Sequence, residues 1–119
     1  MRSLDYSKVD RVYLKPGFTD MRKGIDGLCL IIEQSMQLDP FENSLFLFCG
    51  RKTSSIKGIL WEEDGFLLLT KRLDEGKFQW PKNNDEVLLL SEQQLRWLLE
   101  GLGIEQKCSI RKSRATKIM

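Results

Sequence analysis

The sequence contains no histidine, so nucleophile activation by a Ser–His or Cys–His pair is excluded, as is a metal site built on imidazole. Its three cysteines, Cys29, Cys49 and Cys108, lie far apart and lack CxxC spacing, which argues against zinc binding. An odd number of separated cysteines indicates reduced, mostly buried thiols and a cytoplasmic setting. No apolar run approaches the length of a membrane span, and we expect no signal peptide.

Charge is unevenly distributed along the 119 residues. Residues 101–119 carry five basic side chains and one acidic side chain, a net charge of +4, whereas residues 1–100 hold 14 basic and 16 acidic side chains, a net charge of −2. We expect a single folded domain over residues 1–104 and a basic, flexible tail over residues 105–119. Such a tail either contacts nucleic acid or another acidic surface, or is a solvated terminus that aids solubility.

Two segments show the apolar spacing of amphipathic helices. The first helix is expected to begin at Thr19 or Asp20 and to end near Leu38, before an Asp-Pro pair. The second is expected to begin at Ser91, because Ser91 and Gln94 have the spacing of a capping box.

Strands are predicted over Val9–Leu14 and Val87–Leu90. The continuous apolar run SLFLFC at residues 44–49 is typical of a strand covered on both faces. Together with a hairpin, these segments predict an α+β fold: a small, mostly antiparallel sheet of about five strands with two packed helices.

The hairpin is predicted over Ile56–Pro81, with its turn at Asp64-Gly65, because an Asp-Gly pair between apolar runs is a strong type I′ turn signal. A two-residue loop there places Lys57 opposite Arg72 on one face of the ribbon, and like charges in that position repel. An anion would offset that repulsion. The same register pairs Ile59 with Thr70 and Trp61 with Leu68.

The first predicted helix breaks helix rules at its start. Arg22 and Lys23 would lie in the first turn, where the helix dipole disfavours cations. Gly24 and Gly27 each cost about 1 kcal/mol relative to alanine in a helix interior. Two explanations fit: the glycines allow close packing on the sheet while the cations pair with carboxylates, or the segment binds phosphate.

Basic residues cluster at strand ends and at this helix start, with tryptophans between them. That combination is typical of surfaces that neutralise a nucleic-acid backbone and stack on bases. The alternative is that the tryptophans, Trp61 and Trp80, are core residues. The candidate nucleic-acid-binding set is Arg22, Lys23, Arg51, Lys52, Lys57, Lys71 and Arg72, with Trp61 and Trp80 as supporting aromatic residues.

A metal-dependent nuclease needs two or three carboxylates that converge on divalent cations. Local structure explains the aspartates better: Asp20 as a helix cap, Asp39 as a stop before proline, and Asp64 as a turn residue. We therefore predict no catalytic residue, no metal ligand and no cofactor.

Several sequence blocks occur in an order and spacing that resemble one known family. They are TDMRKGIDGL at residues 19–28, LDPF at 38–41, LFLFCGRK at 45–52, IKGILW at 56–61, DGFLLLTKRLDEGKFQWP at 64–81 and LLEGL at 98–102. Over residues 11–102 the chain is similar to the TnpB accessory proteins, the second-open-reading-frame products of the sixty-six family of bacterial insertion sequences. Gly58 and the pair Glu62-Glu63 depart from the family's usual pattern.

The resemblance implies a non-catalytic protein that is encoded beside a separate DDE-type transposase and assists transposition. The expected partners are DNA, through its phosphate backbone, and the transposase or other proteins of the same element. The alternative is a protein–protein adaptor that contacts the transposase through a sheet face or the Leu95–Leu102 helix, without touching DNA.

Overall fold

A computed structural model describes residues 8–82 and 86–105. Within these ranges the chain forms five strands and two helices: β1 (Arg11–Leu14), α1 (Ile25–Gln34), β2 (Ser44–Cys49), β3 (Ser55–Trp61), β4 (Phe66–Arg72), β5 (Leu88–Leu90) and α2 (Glu92–Leu99). The strand order is β4-β3-β2-β1-β5. Only β1 and β2 run parallel among these pairs, so the predicted α+β fold with a mostly antiparallel sheet is confirmed. The predicted tail, beyond Glu105, lies outside the described residues.

The central strand β2 is buried along its whole length, as its unbroken apolar sequence predicts. Phe46 and Phe48 belong to a core cluster with Leu28 and Ile32 of α1 on one face of the sheet. On the other face, Leu45 and Leu47 belong to a second cluster with Leu95 and Leu98 of α2. The sheet is therefore a middle layer between the two helices.

The parallel pairing of β1 with β2 determines which loops become neighbours. Parallel strands need a crossover connection, and α1 lies within it. Because the two strands point the same way, the segment that follows β1 and the loop that follows β2 emerge at the same edge of the sheet. These two segments carry four of the predicted basic residues, at positions 22, 23, 51 and 52.

Helix α1 begins later than predicted, at Ile25, and ends earlier, at Gln34. Asp20 does not cap it; the Asp20 carboxylate accepts a hydrogen bond from the Arg22 N–H at 2.9 Å and closes a turn before the helix. Gly24 is the N-cap residue, with φ −97° and ψ −159°. The prediction that Arg22 and Lys23 occupy the first helical turn is therefore wrong, because the extended backbone at Gly24 separates them from the helix.

Helix α2 begins as predicted. The Ser91 hydroxyl accepts a hydrogen bond from the Gln94 N–H, and the Gln94 side chain accepts one from the Ser91 N–H. Leu95 and Leu98 are fully buried. The helix ends at Leu99, and Gly101 adopts a left-handed φ of 86° just beyond it.

The hairpin is present, but its register differs from the prediction by two residues. The Glu62 N–H donates to the Gly65 carbonyl at 2.9 Å, and Glu63 adopts a left-handed φ of 75°, so the turn centres on Glu63 and Asp64. The predicted pairing of Lys57 with Arg72 is wrong. Lys57 lies opposite Thr70, Ile59 opposite Leu68, Trp61 opposite Phe66, and Arg72 opposite Ser55.

Aromatic packing accounts for the shifted register. It places the rings of Trp61 and Phe66 4.8 Å apart, and Phe41 lies 5.0 Å from Trp61. These contacts across the strands offset the strain of a left-handed glutamate, which is of the order of 1 kcal/mol. Because the shift is by an even number of residues, every side chain keeps its predicted face of the ribbon.

Candidate nucleic-acid interface

The segment after β1 and the loop after β2 are joined by backbone hydrogen bonds at one edge of the sheet. The Thr19 N–H donates to the Cys49 carbonyl at 2.8 Å. The Thr53 N–H donates to the Gly50 carbonyl at 3.0 Å, which closes a turn with Arg51 and Lys52 at its centre. Both side chains are exposed.

A cleft of about 740 Å³ opens between these two segments and the end of β4, and we call it the basic cleft. Four cationic side chains and one carboxylate line it, giving a formal net charge of +3. Its lining residues are Phe18, Thr19, Asp20, Met21, Arg22, Gly50, Arg51, Lys52, Thr53, Ser54, Ser55 and Arg72.

Arg22 is the one cation of this cleft with an ion pair among the described residues. Its Nε and Nη2 donate to the two carboxylate oxygens of Asp20 at 3.0 and 2.9 Å. Within residues 8–82 and 86–105, no ion pair joins Arg51, Lys52 or Arg72 to a carboxylate. Arg51 instead stacks its guanidinium 5.6 Å from the ring centre of Phe18. The cleft therefore has three cations available for an anionic ligand.

Lys57 and Lys23 lie next to the basic cleft. The Lys57 ammonium donates to the Lys23 carbonyl at 3.0 Å and so joins β3 to the start of α1. The Lys23 side chain passes over Gly27, where an added Cβ would lie 3.2 Å from the Lys23 Cβ. Gly27 thus makes room for Lys23, whereas the sequence had suggested close packing on the sheet.

Lys71 lies on the opposite face of the sheet from Arg72. Its ammonium donates to the Leu99 carbonyl at 3.1 Å, at the end of α2. A cation there satisfies an orphan carbonyl and complements the helix dipole. The structure therefore gives Lys71 a contact with α2 and does not place it at the basic cleft.

The two candidate tryptophans occupy different places. Trp80 is 4% exposed, and its indole Nε1 donates to the Lys15 carbonyl at 3.0 Å. It therefore anchors the segment after β1, and its ring has no face available for stacking on a base. Trp61 lies at the far end of β3. Six residue steps along a strand span about 20 Å, which separates Trp61 from the cleft.

Eight of the twelve lining residues were not predicted as site residues, and three of these eight contact other parts of the cleft or have an unsatisfied polar group. Phe18 is 37% exposed and supports Arg51. The buried Thr19 hydroxyl has no hydrogen-bond partner among the described residues. Met21 packs against Gly50, where an added Cβ would lie 2.6 Å from the Met21 Cγ. The sequence could have indicated Phe18, because an aromatic residue there lies between Gly17 and a basic motif. The positions of Thr19 and Met21 in the cleft depend on the parallel pairing of β1 and β2, which no local pattern shows.

The cysteines give the cleft no reactive group. Cys49 is fully buried, and burial raises its pKa to about 12 despite a hydrogen bond from Gly50. Cys29 is half-buried on α1, and burial, with Asp26 and Glu33 nearby, raises its pKa. Both are free thiols, and Cys108 lies outside the described residues.

Asp20 is expected to titrate far below an ordinary aspartate. Its hydrogen bonds with Arg22 lower its pKa from 3.8 to about 2. Because the folded pKa is depressed, the contribution of this pair to folding is present above pH 3.8 and is lost as the pH falls through about 2.

Carboxyl NMR of Asp20 measures the midpoint of its titration directly. In Arg22→Gln the midpoint should rise towards 3.8; an unaltered protein already titrating at 3.8 would contradict the pairing.

Neither helix of the described ranges is long and apolar enough to cross a membrane. Across residues 8–82 and 86–105, no group of three or more Cys, Asp or Glu side chains is arranged to hold a metal ion.

The fold and the cleft define a small α+β protein with a cationic surface at one edge of its sheet. The family model described as IS66 Orf2 like protein matches residues 10–109, and the chain belongs to this family. It is therefore a member of a family of insertion-sequence accessory proteins, which confirms the family predicted from the sequence blocks.

Two relatives come from Sinorhizobium fredii (strain NBRC 101917 / NGR234). The uncharacterized protein y4hO is 40% identical over 92 residues, covering 77% of this chain and 80% of the relative. The uncharacterized protein y4jC is 31% identical over 83 residues, covering 70% of this chain and 71% of the relative. No solved structure matches the chain significantly.

Proposed function

We propose that this chain is a non-catalytic accessory protein of insertion-sequence transposition, and that it binds DNA through the basic cleft. One observation carries the proposal: four cations from three separate segments of the chain converge on a cleft with a formal net charge of +3. Family membership supplies the setting, because transposition acts on DNA.

The chemistry of the cleft suits phosphate groups. Cations without carboxylate partners can neutralise phosphates and release the counterions that surround DNA, which is the main source of non-specific affinity. Ser54 and Ser55 line the same cleft and add hydroxyl groups of the kind that contact phosphate oxygens, whereas the N–H and hydroxyl of Thr53 donate within the loop. Lys23 and Lys57 extend the cationic surface towards α1.

The positions of the tryptophans favour backbone contacts over base stacking. Trp80 is buried, and Trp61 lies beside Glu62 and Glu63, which line the same depression and would repel phosphates. Because Phe18 is the one aromatic side chain among the described residues that line the cleft, binding should depend on salt and only weakly on DNA sequence.

The adaptor alternative has less surface to use than the sequence suggested. Leu95 and Leu98 of α2 are fully buried against the sheet, and both faces of the sheet are covered by helices. A contact with the transposase through α2 would therefore need the polar outer residues of that helix.

DNA binding measured across a salt series tests the proposal. For duplex DNA labelled with a fluorophore, anisotropy between about 50 and 200 mM salt should give a log–log slope that becomes shallower by about 0.9 for each phosphate contact removed. The variant Arg51→Gln/Lys52→Gln/Arg72→Gln should therefore lose close to three units of slope and tens-fold in affinity at low salt.

Arg11→Gln is the matched control, because Arg11 is exposed at the start of β1, at the other end of the sheet from the basic cleft. It removes one positive charge and should leave the slope nearly unchanged. Absence of binding at about 50 mM salt, or equal slopes for the triple variant and the unaltered protein, would refute DNA binding through this cleft.

A further inference from the structure

A cluster of one exposed and two half-buried aromatic side chains lies at the end of the sheet opposite the basic cleft. It consists of Phe41, Trp61 and Phe66, whose ring centres lie 4.8 to 5.2 Å apart, and we call it the aromatic ridge. Phe41 is 55% exposed, and Leu30 of α1, beside it, is 50% exposed. Contiguous exposed apolar groups of this kind mark interaction surfaces, whereas single exposed apolar residues are ordinary.

The chain holds Phe41 in a fixed position although the side chain is exposed. The Phe41 N–H donates to the Asp39 carboxylate at 2.9 Å, and the Glu42 N–H donates to the Asp39 carbonyl at 3.3 Å. Pro40 is fully buried behind the ring. A ring fixed before binding loses little conformational entropy when a partner covers it, so its burial contributes more to affinity.

Carboxylates flank the ridge on both sides. A depression of about 740 Å³ beside Phe41 and Trp61 is lined by Glu62 and Glu63. A second depression, of about 230 Å³, beside Phe41 and Phe66 is lined by Asp26 and Glu33. Among the described residues, Lys8 is the single cation in the two linings, so these linings have a formal net charge of −3 with their four carboxylates.

We propose that the aromatic ridge binds a basic segment of a partner protein, one that carries an aliphatic or aromatic anchor residue among lysines and arginines. The ridge receives the anchor, and the flanking carboxylates pair with the cations on either side of it. Aromatic residues are enriched at the energetic centres of interfaces, and charge complementarity selects the partner. The same carboxylates repel nucleic acid, so this surface is separate from the basic cleft and does not depend on it.

Fluorescence anisotropy with labelled peptides tests the proposal on the full chain. The probe is a synthetic peptide of about 15 residues with leucines at helical spacing among lysines and arginines. It should bind, whereas a peptide with alanine in place of leucine and one with glutamate in place of the cations should each bind about tenfold more weakly or not at all.

Variants then locate the binding site. Phe41→Ala should weaken binding of the leucine-containing peptide by about tenfold, and Leu30→Ala by a smaller factor. Glu62→Gln/Glu63→Gln should weaken it severalfold and flatten its salt dependence. Leu89→Ala is the control for an apolar side chain, since Leu89 is 59% exposed on β5, and Glu75→Gln is the control for charge. Leu30→Ala should melt like the unaltered protein, and Phe41→Ala, which loses its packing on Trp61 and Phe66, should melt at a lower temperature but still cooperatively.

Three outcomes overturn the proposal. One is no binding of the leucine-containing peptide at low salt. Another is binding that Phe41→Ala and Leu30→Ala leave unchanged. The third concerns the basic tail of this chain: if Arg111→Gln/Lys112→Gln/Arg114→Gln tightens peptide binding about tenfold, the tail itself is the occupant and a partner protein is not.

Discussion

Replacing Trp80 with alanine is expected to lower the free energy of unfolding by about 3 to 5 kcal/mol, the usual cost of removing a buried large aromatic side chain. Trp80 is 4% exposed and belongs to the core cluster on the α2 side of the sheet. Its indole N–H donates to the Lys15 carbonyl, and the Pro81 carbonyl accepts from the Gly17 N–H at 2.9 Å. The loss therefore reaches the segment that leads into the basic cleft. Chemical denaturation measures the effect.

Trp80→Phe separates packing from hydrogen bonding. It keeps most of the apolar volume but leaves the Lys15 carbonyl without its donor, so a smaller loss of about 1 to 2 kcal/mol is expected. Trp61→Phe is the comparison at a half-buried site whose indole has no hydrogen bond to the described residues, and it should cost less than Trp80→Phe. If Trp80→Ala unfolds at nearly the same denaturant concentration as the unaltered protein, Trp80 does not hold residues 15–17 against residues 80–81.

Gly50→Ala is expected to destabilise the protein by about 1 to 3 kcal/mol, the cost of overpacking a filled site. The added methyl carbon would lie 2.6 Å from the Met21 Cγ, well inside contact distance, so Met21 must move. Met21 and Gly50 both line the basic cleft and contact each other, so moving Met21 should displace the neighbouring Arg22 relative to Arg51. DNA affinity should therefore fall together with stability.

A double-mutant cycle isolates the Met21–Gly50 contact. Met21→Ala removes the side chain that the new methyl group meets, so Gly50→Ala should cost much less in the Met21→Ala background than alone. The coupling should be of the order of 1 kcal/mol or more. Gly103→Ala is the matched glycine control, because the atoms nearest to an added Cβ there lie 3.7 Å away. Equal costs in both backgrounds would show that Met21 is not the obstacle.

The elements that the sequence predicts well are those with local causes. The capping box at Ser91 and Gln94 needs only a spacing of three residues, and β2 shows its burial through an unbroken apolar run. Two predictions failed because another contact, one local and one between strands, overrode a local preference. Asp20 is a good cap residue, but it pairs with Arg22 instead. Asp64-Gly65 is a good turn, but the packing of Trp61 on Phe66 selects a different register.

The four cations of the basic cleft were predictable from the sequence, but their convergence on one cleft was not. Arg22 and Arg51 lie far apart in the sequence, and no local pattern shows that β1 and β2 pair in parallel, which is what brings them to one cleft. Lys71 illustrates the opposite case. Simple alternation along β4 already places it on the other face of the ribbon from Arg72, and the structure shows it at the end of α2.

The two ends of strand β3 have opposite electrostatic character. The described lining of the basic cleft next to Ser55 has a formal charge of +3, and the described linings of the two depressions beside the aromatic ridge have a formal charge of −3. This difference makes the electrostatic potential asymmetric between the cleft and the ridge. For the DNA binding that we propose, this asymmetry should orient the molecule before contact and raise its association rate at low salt. A protein that meets DNA in this orientation approaches with the cleft foremost and leaves the aromatic ridge pointing into solvent.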